Sequence, residues 1–553
     1  MSGARRTDGR IGFARPGWFW TGTALCVAGV VAHLPMYRTL TEPTGHHAAM
    51  GGMAGMKATG WDPFMTVGMA LILAGLAACV RGLVSPHRPS GSGGTPQVAF
   101  AEDAPLKPAH WALTLVMTLA VAIDMMKPLT LSFVAPGVAE EYGLRSPAHP
   151  QGAVPVALLP LFGLGGTVVG SFLWGRFGDR LGRRPAILLA GVVFVATSVC
   201  GAMPQFSLNL VMCFVMGLSA GGMLPLTFTL LTETVPARHR GTLVVLIGTG
   251  IALGYVLTSW AASLLVPEYG WRVLWLLGLP TGIVLLLLNR WVPESPRFLA
   301  AQGRETEAEA VLTRYGARLI PDPRRPGASS GGPAPSGGGL SLLRAPYAWT
   351  GLPLVVFALG IGLVTYGFQL WIPSDLRRLG FTDVSADTIL RDSSLLGLPF
   401  NLAIAWLYGR WSSKGTLVGL GTCTACAMAA LSVVGERVVD HPGLLRVLLA
   451  VPICAASSAV AVLSAYTAEV YPTAVRSRAS GLTAGVTKAG GLLMTAAIAA
   501  AVTVPSLRTT ALLGAVPLAV ATAVIVLAGV ETRARALEEI TAETARQDEP
   551  ASA

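Results

Sequence analysis

Charge is what this chain has least of. Asp, Glu, Lys and Arg make up 12% of its residues and apolar side chains 52%, against about a quarter and just under a half in ordinary soluble domains. So few charges cannot coat a soluble globule of this length, and the apolar residues gather instead in runs long enough to cross a bilayer. No G-x-x-x-x-G-K-[ST] loop is present, which removes direct coupling to ATP through a phosphate cradle, and nothing points to an enzyme. No cysteine lies in a loop: Cys26, Cys79, Cys200, Cys213, Cys423, Cys426 and Cys454 all fall inside apolar runs, so there is no disulfide framework. Cys423 and Cys426 form C-x-x-C, but with no His or carboxylate beside them they read as packing residues. The formal net charge of +11 is no nucleic-acid footprint either, because the basic residues fall in alternate loops, as expected of loops facing the cytoplasm.

What is present is a ladder of fourteen apolar runs, the first near 17–35 and the last near 510–530. Between two of them, residues 175–185 read GRFGDRLGRRP. Gly175, Asp179, Arg180, Gly182, Arg183 and Arg184 match G-x-x-x-D-R-x-G-R-R, and the string resembles the loop that joins the second and third transmembrane helices in the major facilitator superfamily. The resemblance implies an all-α polytopic membrane protein: a twelve-helix fold in two six-helix halves, placed in the cytoplasmic membrane with this loop in the cytoplasm. Counting from the loop gives an added N-terminal hairpin and linker (1–108), a first half (109–290), a central loop (291–346), a second half (347–532) and a tail (533–553). An even number of added spans keeps both termini cytoplasmic. A signal peptide is the alternative reading of the first run, but no A-x-A-like site follows it.

The halves echo one another. ETVPARHRG at 233–241 returns as EVYPTAVRSRASG at 469–481, and GRF at 175–177 returns as GRW at 409–411, at offsets of 236 and 234 residues. Two echoes at nearly one offset indicate a duplicated unit, with the substrate site expected at mid-membrane between the halves. The second loop copy has decayed, with Ser413 where the aspartate would stand.

PESPRFLAAQGRETEAEAVL, residues 293–312, resembles the segment after the sixth core helix of sugar porters and organic-ion transporters, and TYGFQLWIPSDLRRLGF at 365–381 resembles the seventh core helix of metabolite and organic-ion members. Sugar is disfavoured because the run 242–264 has no Gln. Drug antiport is disfavoured because GTGIALGYVL lacks the Gly-Pro pair of those proteins. Separately, Cys213 stands where the family usually has an arginine on the fourth core helix, a departure that touches a standard coupling element.

Ionisable residues inside spans are expensive and mark function by default. Asp124 and Lys127, three apart on the first core helix, share a face. They read either as a proton acceptor with its counter-ion or substrate anchor, or as a structural ion pair. Lys488 either serves the site or snorkels to the cytoplasmic surface. Tyr366, Gln369, Trp371 and Asn401 are candidates for the cavity wall, or for helix packing. Arg391 and Asp392 read as a solvated loop at the mouth of a span. As the resemblance implies, Asp179 and its arginines lock the halves at the cytoplasmic face, with Glu233, Arg240, Glu469 and Arg478 in matching clusters.

The hairpin adds a different chemistry. His47, Met50, Met53, Met56, Met65 and Met69 follow H-x-x-M-x-x-M-x-x-M and M-x-x-x-M spacing, and thioether with imidazole suits Cu(I). The alternative is a low-complexity linker that binds nothing. The function expected is secondary active transport of a small organic solute, a carboxylate or other metabolite, coupled to protons, with a monomer as the working unit and the bilayer as its only other partner. The rivals are a copper-linked permease and a sensor that keeps the fold without transport.

Overall fold

In lipid every backbone polar group must be satisfied within the chain, so apolar runs of this length can cross only as helices. The computed structural model describes residues 15–41, 63–83, 97–100, 105–146, 151–320, 343, 348–381, 383–471, 473–500 and 506–532. Its crossing helices are α1 (Pro16–Ala32), α2 (Pro63–Leu83), α3 (Pro108–Glu141), α4 (Leu158–Leu181), α5 (Arg183–Ala202), α6 (Phe206–Thr234), α7 (Arg238–Tyr269) and α8 (Val273–Trp291), then α9 (Gly351–Pro373), α10 (Asp383–Arg410), α11 (Ser413–Val434), α12 (Pro442–Val470), α13 (Thr473–Ala500) and α14 (Leu507–Ala528). Among the described residues, thirteen of these helices are long and apolar enough to cross by length and composition. The other, α10, opens with Asp383, Asp387, Arg391 and Asp392, so Arg391 and Asp392 lie in a helix, joined to each other at 2.9 Å, rather than in a loop.

Helices α3 to α8 form one half and α9 to α14 the other. They meet where α4 packs on α13 and where α7 packs on α10 and α12. A π-helical turn, Leu363–Phe368, interrupts α9 before the helix resumes as Gln369–Arg378. Such turns displace side chains from the regular helical face and recur at functional sites.

The hairpin α1/α2 closes by a glycine ladder. Phe19 faces Gly82, Cys79 faces Gly22, Cys26 faces Gly75, Ile72 faces Gly29 and His33 faces Gly68, and at each rung a methyl on the glycine would collide with the opposite residue. Small residues of this kind let transmembrane backbones approach closely. The Cys79 thiol donates to the Phe19 carbonyl at 3.3 Å and the Cys26 thiol to the Ile72 carbonyl at 3.6 Å. The hairpin docks on α5, where Tyr37 Oη donates to the Ser198 carbonyl at 2.7 Å.

Two short strands, β1 (Gln97–Phe100) and β2 (Ala317–Ile320), pair antiparallel, so the linker after the hairpin is stitched to the segment between the halves. No alternation in the sequence announced this pairing. Beside it Lys107 Nζ donates to the Thr313 carbonyl at 3.2 Å and His110 meets the Tyr315 ring edge-on.

Opposite the face that carries loop 175–185, Asp375 is buried and its Oδ2 meets no donor among the described residues. Burial pushes its carboxyl from 3.8 up to about 7; Arg378 lowers it part-way and Glu436 opposes that. A carboxyl raised on folding stabilises fully below the unfolded value, and the contribution is lost as pH rises through the folded value. The unfolding midpoint in detergent is therefore expected to fall between about pH 5 and about pH 8, and Asp375→Asn to flatten that slope.

Candidate substrate cavity

A cavity lies between the halves, open on one side. Leu224, Phe228, Thr229 and Val244 line it from one half; Tyr366, Val460, Ser464, Thr483, Thr487 and Lys488 line it from the other. Glu233 and Arg297 border it toward the face bearing loop 175–185. At the opposite face the halves are tied by Arg145, whose Nη2 donates to the Ala499 carbonyl at 3.1 Å.

Lys488 ends the cavity. It does not snorkel: its side chain is 3% exposed, and Nζ donates across the seam to Ser171 Oγ at 2.9 Å and to the Gly221 carbonyl at 2.7 Å. Gly221 offers that carbonyl at a break in α6, between the helical segments Phe206–Ala220 and Met223–Thr234. Both acceptors are neutral, so the ammonium keeps its full charge and one unused proton. The charge that reaches it is that of Asp124, buried on α3 and without a hydrogen bond among the described residues. Tyr366 stands beside this pair, its phenol donating weakly to Met125 Sδ at 3.9 Å.

Lys127 goes elsewhere. Nζ donates to Thr197 Oγ1 at 3.2 Å and lies 4.8 Å from the Phe194 ring centroid, inside the first half and near Cys200 and Cys213. A methyl on Gly278 would crowd the ammonium and Ser198 Oγ, which would have to shift. Asp124 and Lys127 therefore form no ion pair; the charge that acts on Asp124 is that of Lys488, without a direct ion pair between the two among the described residues. Of the other candidates, Tyr366 alone lines the cavity. Gln369 ties helices together, donating from Nε2 to the Pro452 carbonyl at 3.1 Å while its backbone carbonyl accepts from Tyr255 Oη at 3.0 Å. Asn401 Nδ2 donates to the Gly397 carbonyl at 3.0 Å and Oδ1 accepts from Ser458, and Trp371 is buried in α9's continuation.

The loop motif is held by a residue its pattern does not contain. Gly182 has φ of 102°, a conformation side chains rarely adopt, and the Glu294 carboxylate fills the place a Cβ would take. Glu294 Oε1 accepts from the Arg183 N–H at 2.8 Å and the Ser295 N–H at 2.8 Å, and more distantly from the Arg184 N–H at 3.5 Å. Burial pushes this carboxyl up, and those N–H groups with the Arg183 charge hold it part-way back. Arg183 also pairs with Glu233 at 3.3 Å, and Arg184 Nε donates to Asn289 Oδ1 at 2.8 Å. Gly175 has open space around it and Arg180 is exposed. The second half repeats the device: Glu531 accepts from Ser413 N at 3.0 Å and from Ser412 and Ser413 hydroxyls at the start of α11. Glu531 follows Glu294 by 237 residues, a third echo of the duplication. Glu469 accepts from Tyr408 Oη and Thr532 Oγ1, each at 2.7 Å, and packs against Gly241 across the seam with the Arg240 charge nearby. Glu294→Ala leaves buried N–H groups without their acceptor, a loss of about 1–3 kcal/mol, expected as a lower unfolding midpoint in detergent.

The side chains of Asp179 and Arg478, and all of His47, Met50, Met53 and Met56, lie outside the described residues. Met65 and Met69 pack within the hairpin.

The sequence profile described as Major Facilitator Superfamily matches residues 117–449. The chain belongs to the major facilitator superfamily. As a member it is a multi-pass transporter and not an enzyme. It is similar to a niacin transporter of Acinetobacter baylyi, 27% identical over 80% of this chain and 99% of that one, and to a 4-hydroxybenzoate transporter of the same organism, 26% identical over 71% and 85%. Among solved superfamily structures it resembles the proton:xylose symporter of E. coli with a TM-score of 0.62 at 18% identity, over 78% of this chain and 98% of that one, a likeness of fold.

Proposed function

We propose that this superfamily member is a proton-coupled symporter of small monocarboxylates, aromatic acids above all. The reading has it work as a monomer in the cell membrane by alternating access, with the 175–185 face and both termini in the cytoplasm. One observation carries the proposal: a buried ammonium at the end of the inter-half cavity, held only by neutral oxygens, with Asp124 the carboxylate in its field. An ionised Asp124 neutralises Lys488. Once Asp124 takes a proton, Lys488 is left to an incoming carboxylate, so one proton and one anion load together and the buried charge stays balanced. Phe228 and Tyr366 give the lining aromatic surface for an aromatic body, and the relatives named for niacin and 4-hydroxybenzoate support that choice.

The cavity's approach to the 175–185 face and the Arg145 tie at the other face support an inward-facing state. The two bonds from Lys488 to the first half hold that state, and engagement of Lys488 by a substrate weakens them as the halves rock. No step uses a resident metal or cofactor.

The test is uptake into proteoliposomes under an inward proton gradient, with benzoate, 4-hydroxybenzoate and niacin beside their neutral amides. The acids are expected to accumulate and the amides not. Failure of every acid, or equal uptake of acid and amide, sinks the proposal.

A further inference from the structure

The hydroxyl groups around Lys488 share a property that bears on which carboxylate fits. A hydroxyl has one proton to donate and two lone pairs to accept with. Thr487 Oγ1 donates to the Thr483 carbonyl at 2.7 Å, Thr483 Oγ1 to the Ala479 carbonyl at 3.1 Å, and Ser464 Oγ to the Val460 carbonyl at 2.9 Å. Each proton is thus committed to its own helix, and what these three present to the cavity they line is lone pairs.

Thr232 Oγ1 is committed likewise, to the Thr229 carbonyl at 2.8 Å, and the Tyr366 phenol donates to Met125 Sδ; the lining hydroxyls that donate to nothing among the described residues are Thr229 and Ser480. Ser480 lies eight residues from Lys488 along α13, and Thr229 eight residues from Gly221 along α6, which is about 12 Å along either axis. Thr483 lies only five residues from Lys488 along the same helix, about 7.5 Å of axial rise, nearer than Ser480. A single aromatic ring anchored at Lys488 therefore ends beside acceptors and short of the free donors.

We infer that the cavity selects aromatic carboxylates carrying a donor at the far edge, a ring hydroxyl or N–H, over unsubstituted rings and over rings that carry only a nitrogen acceptor. The inference rests on the carboxylate reading of Lys488 and sharpens it. A bare ring leaves the Thr483 and Ser464 lone pairs without a donor. A pyridine nitrogen turned toward them sets acceptor against acceptor. Of the cargoes in the relatives' names, 4-hydroxybenzoate has the chemistry this wall accepts and niacin does not.

The experiment is equilibrium binding of labelled 4-hydroxybenzoate, benzoate and niacin to the purified full-length protein. A net hydrogen bond corresponds to about tenfold in affinity, so 4-hydroxybenzoate is expected to bind about tenfold tighter than either of the others. Thr483→Val keeps the side-chain shape and removes the acceptor, and is expected to lower the ratio of 4-hydroxybenzoate to benzoate affinity. The ratio is read, so a general loss of binding in a variant does not count as support. Benzoate binding as tightly as 4-hydroxybenzoate to the unmodified protein overturns the inference and leaves the carboxylate reading standing. So does a ratio that survives with Thr483→Val, Thr487→Val and Ser464→Ala combined. Binding of none of the three acids overturns both.

Discussion

Lys488→Met is expected to abolish accumulation of aromatic acids, with affinity falling roughly a hundredfold or more, since truncating one member of a buried charge pair costs about 2–5 kcal/mol. Two effects enter. The larger is loss of the cation that meets the substrate carboxylate where water is excluded. The smaller is loss of the bonds to Ser171 and Gly221 that hold the halves together. Ser171→Ala separates them, because it removes one neutral acceptor and no charge, and its expected cost is about 1 kcal/mol. Binding by equilibrium dialysis checks both variants. If Lys488→Met binds 4-hydroxybenzoate as well as Ser171→Ala does, the ammonium is a structural tie and the site lies elsewhere.

Asp124→Asn is expected to uncouple transport rather than stop it. A permanently neutral side chain on α3 imitates the protonated carboxyl, so Lys488 is always available to substrate. Exchange of labelled for unlabelled acid across the membrane then proceeds. Net accumulation under a proton gradient is lost, because no proton needs to ride with the anion. The measurement is a pair of assays on one proteoliposome preparation, counterflow and gradient-driven uptake. Loss of gradient-driven uptake with counterflow kept supports the scheme; loss of both shows that Asp124 shapes the site instead.

The fold was legible because its signals are local or periodic. Loop 175–185 needs only ten contiguous residues to declare itself, and the duplication needs only two strings at one offset. The partner of Asp124 was not legible. Spacing places Lys127 on the same face of α3, but a side chain as long as lysine chooses among neighbours brought by other helices, and α5 offers Lys127 the Thr197 hydroxyl and the Phe194 ring. Lys488 looked able to reach the surface because nothing in α13 shows that Ser171 and Gly221 wait across the seam. Glu294 and Glu531 were within reach of the sequence. They stand 237 residues apart in V-P-E-S and G-V-E-T, beside echoes already noted at 236 and 234. Carboxylates that cap backbone N–H groups belong to no loop motif, however, and only the positive φ of Gly182 reveals what Glu294 does.

The most direct test of the central claim, that Asp124 and the substrate carboxylate share Lys488, is the pH dependence of 4-hydroxybenzoate binding in the unmodified protein and in Asp124→Asn. If substrate binds only the protonated carboxyl, affinity in the unmodified protein falls about tenfold per pH unit once Asp124 ionises. In Asp124→Asn that slope is absent and binding stays tight. The same slope in both proteins, or none in either, would contradict the account.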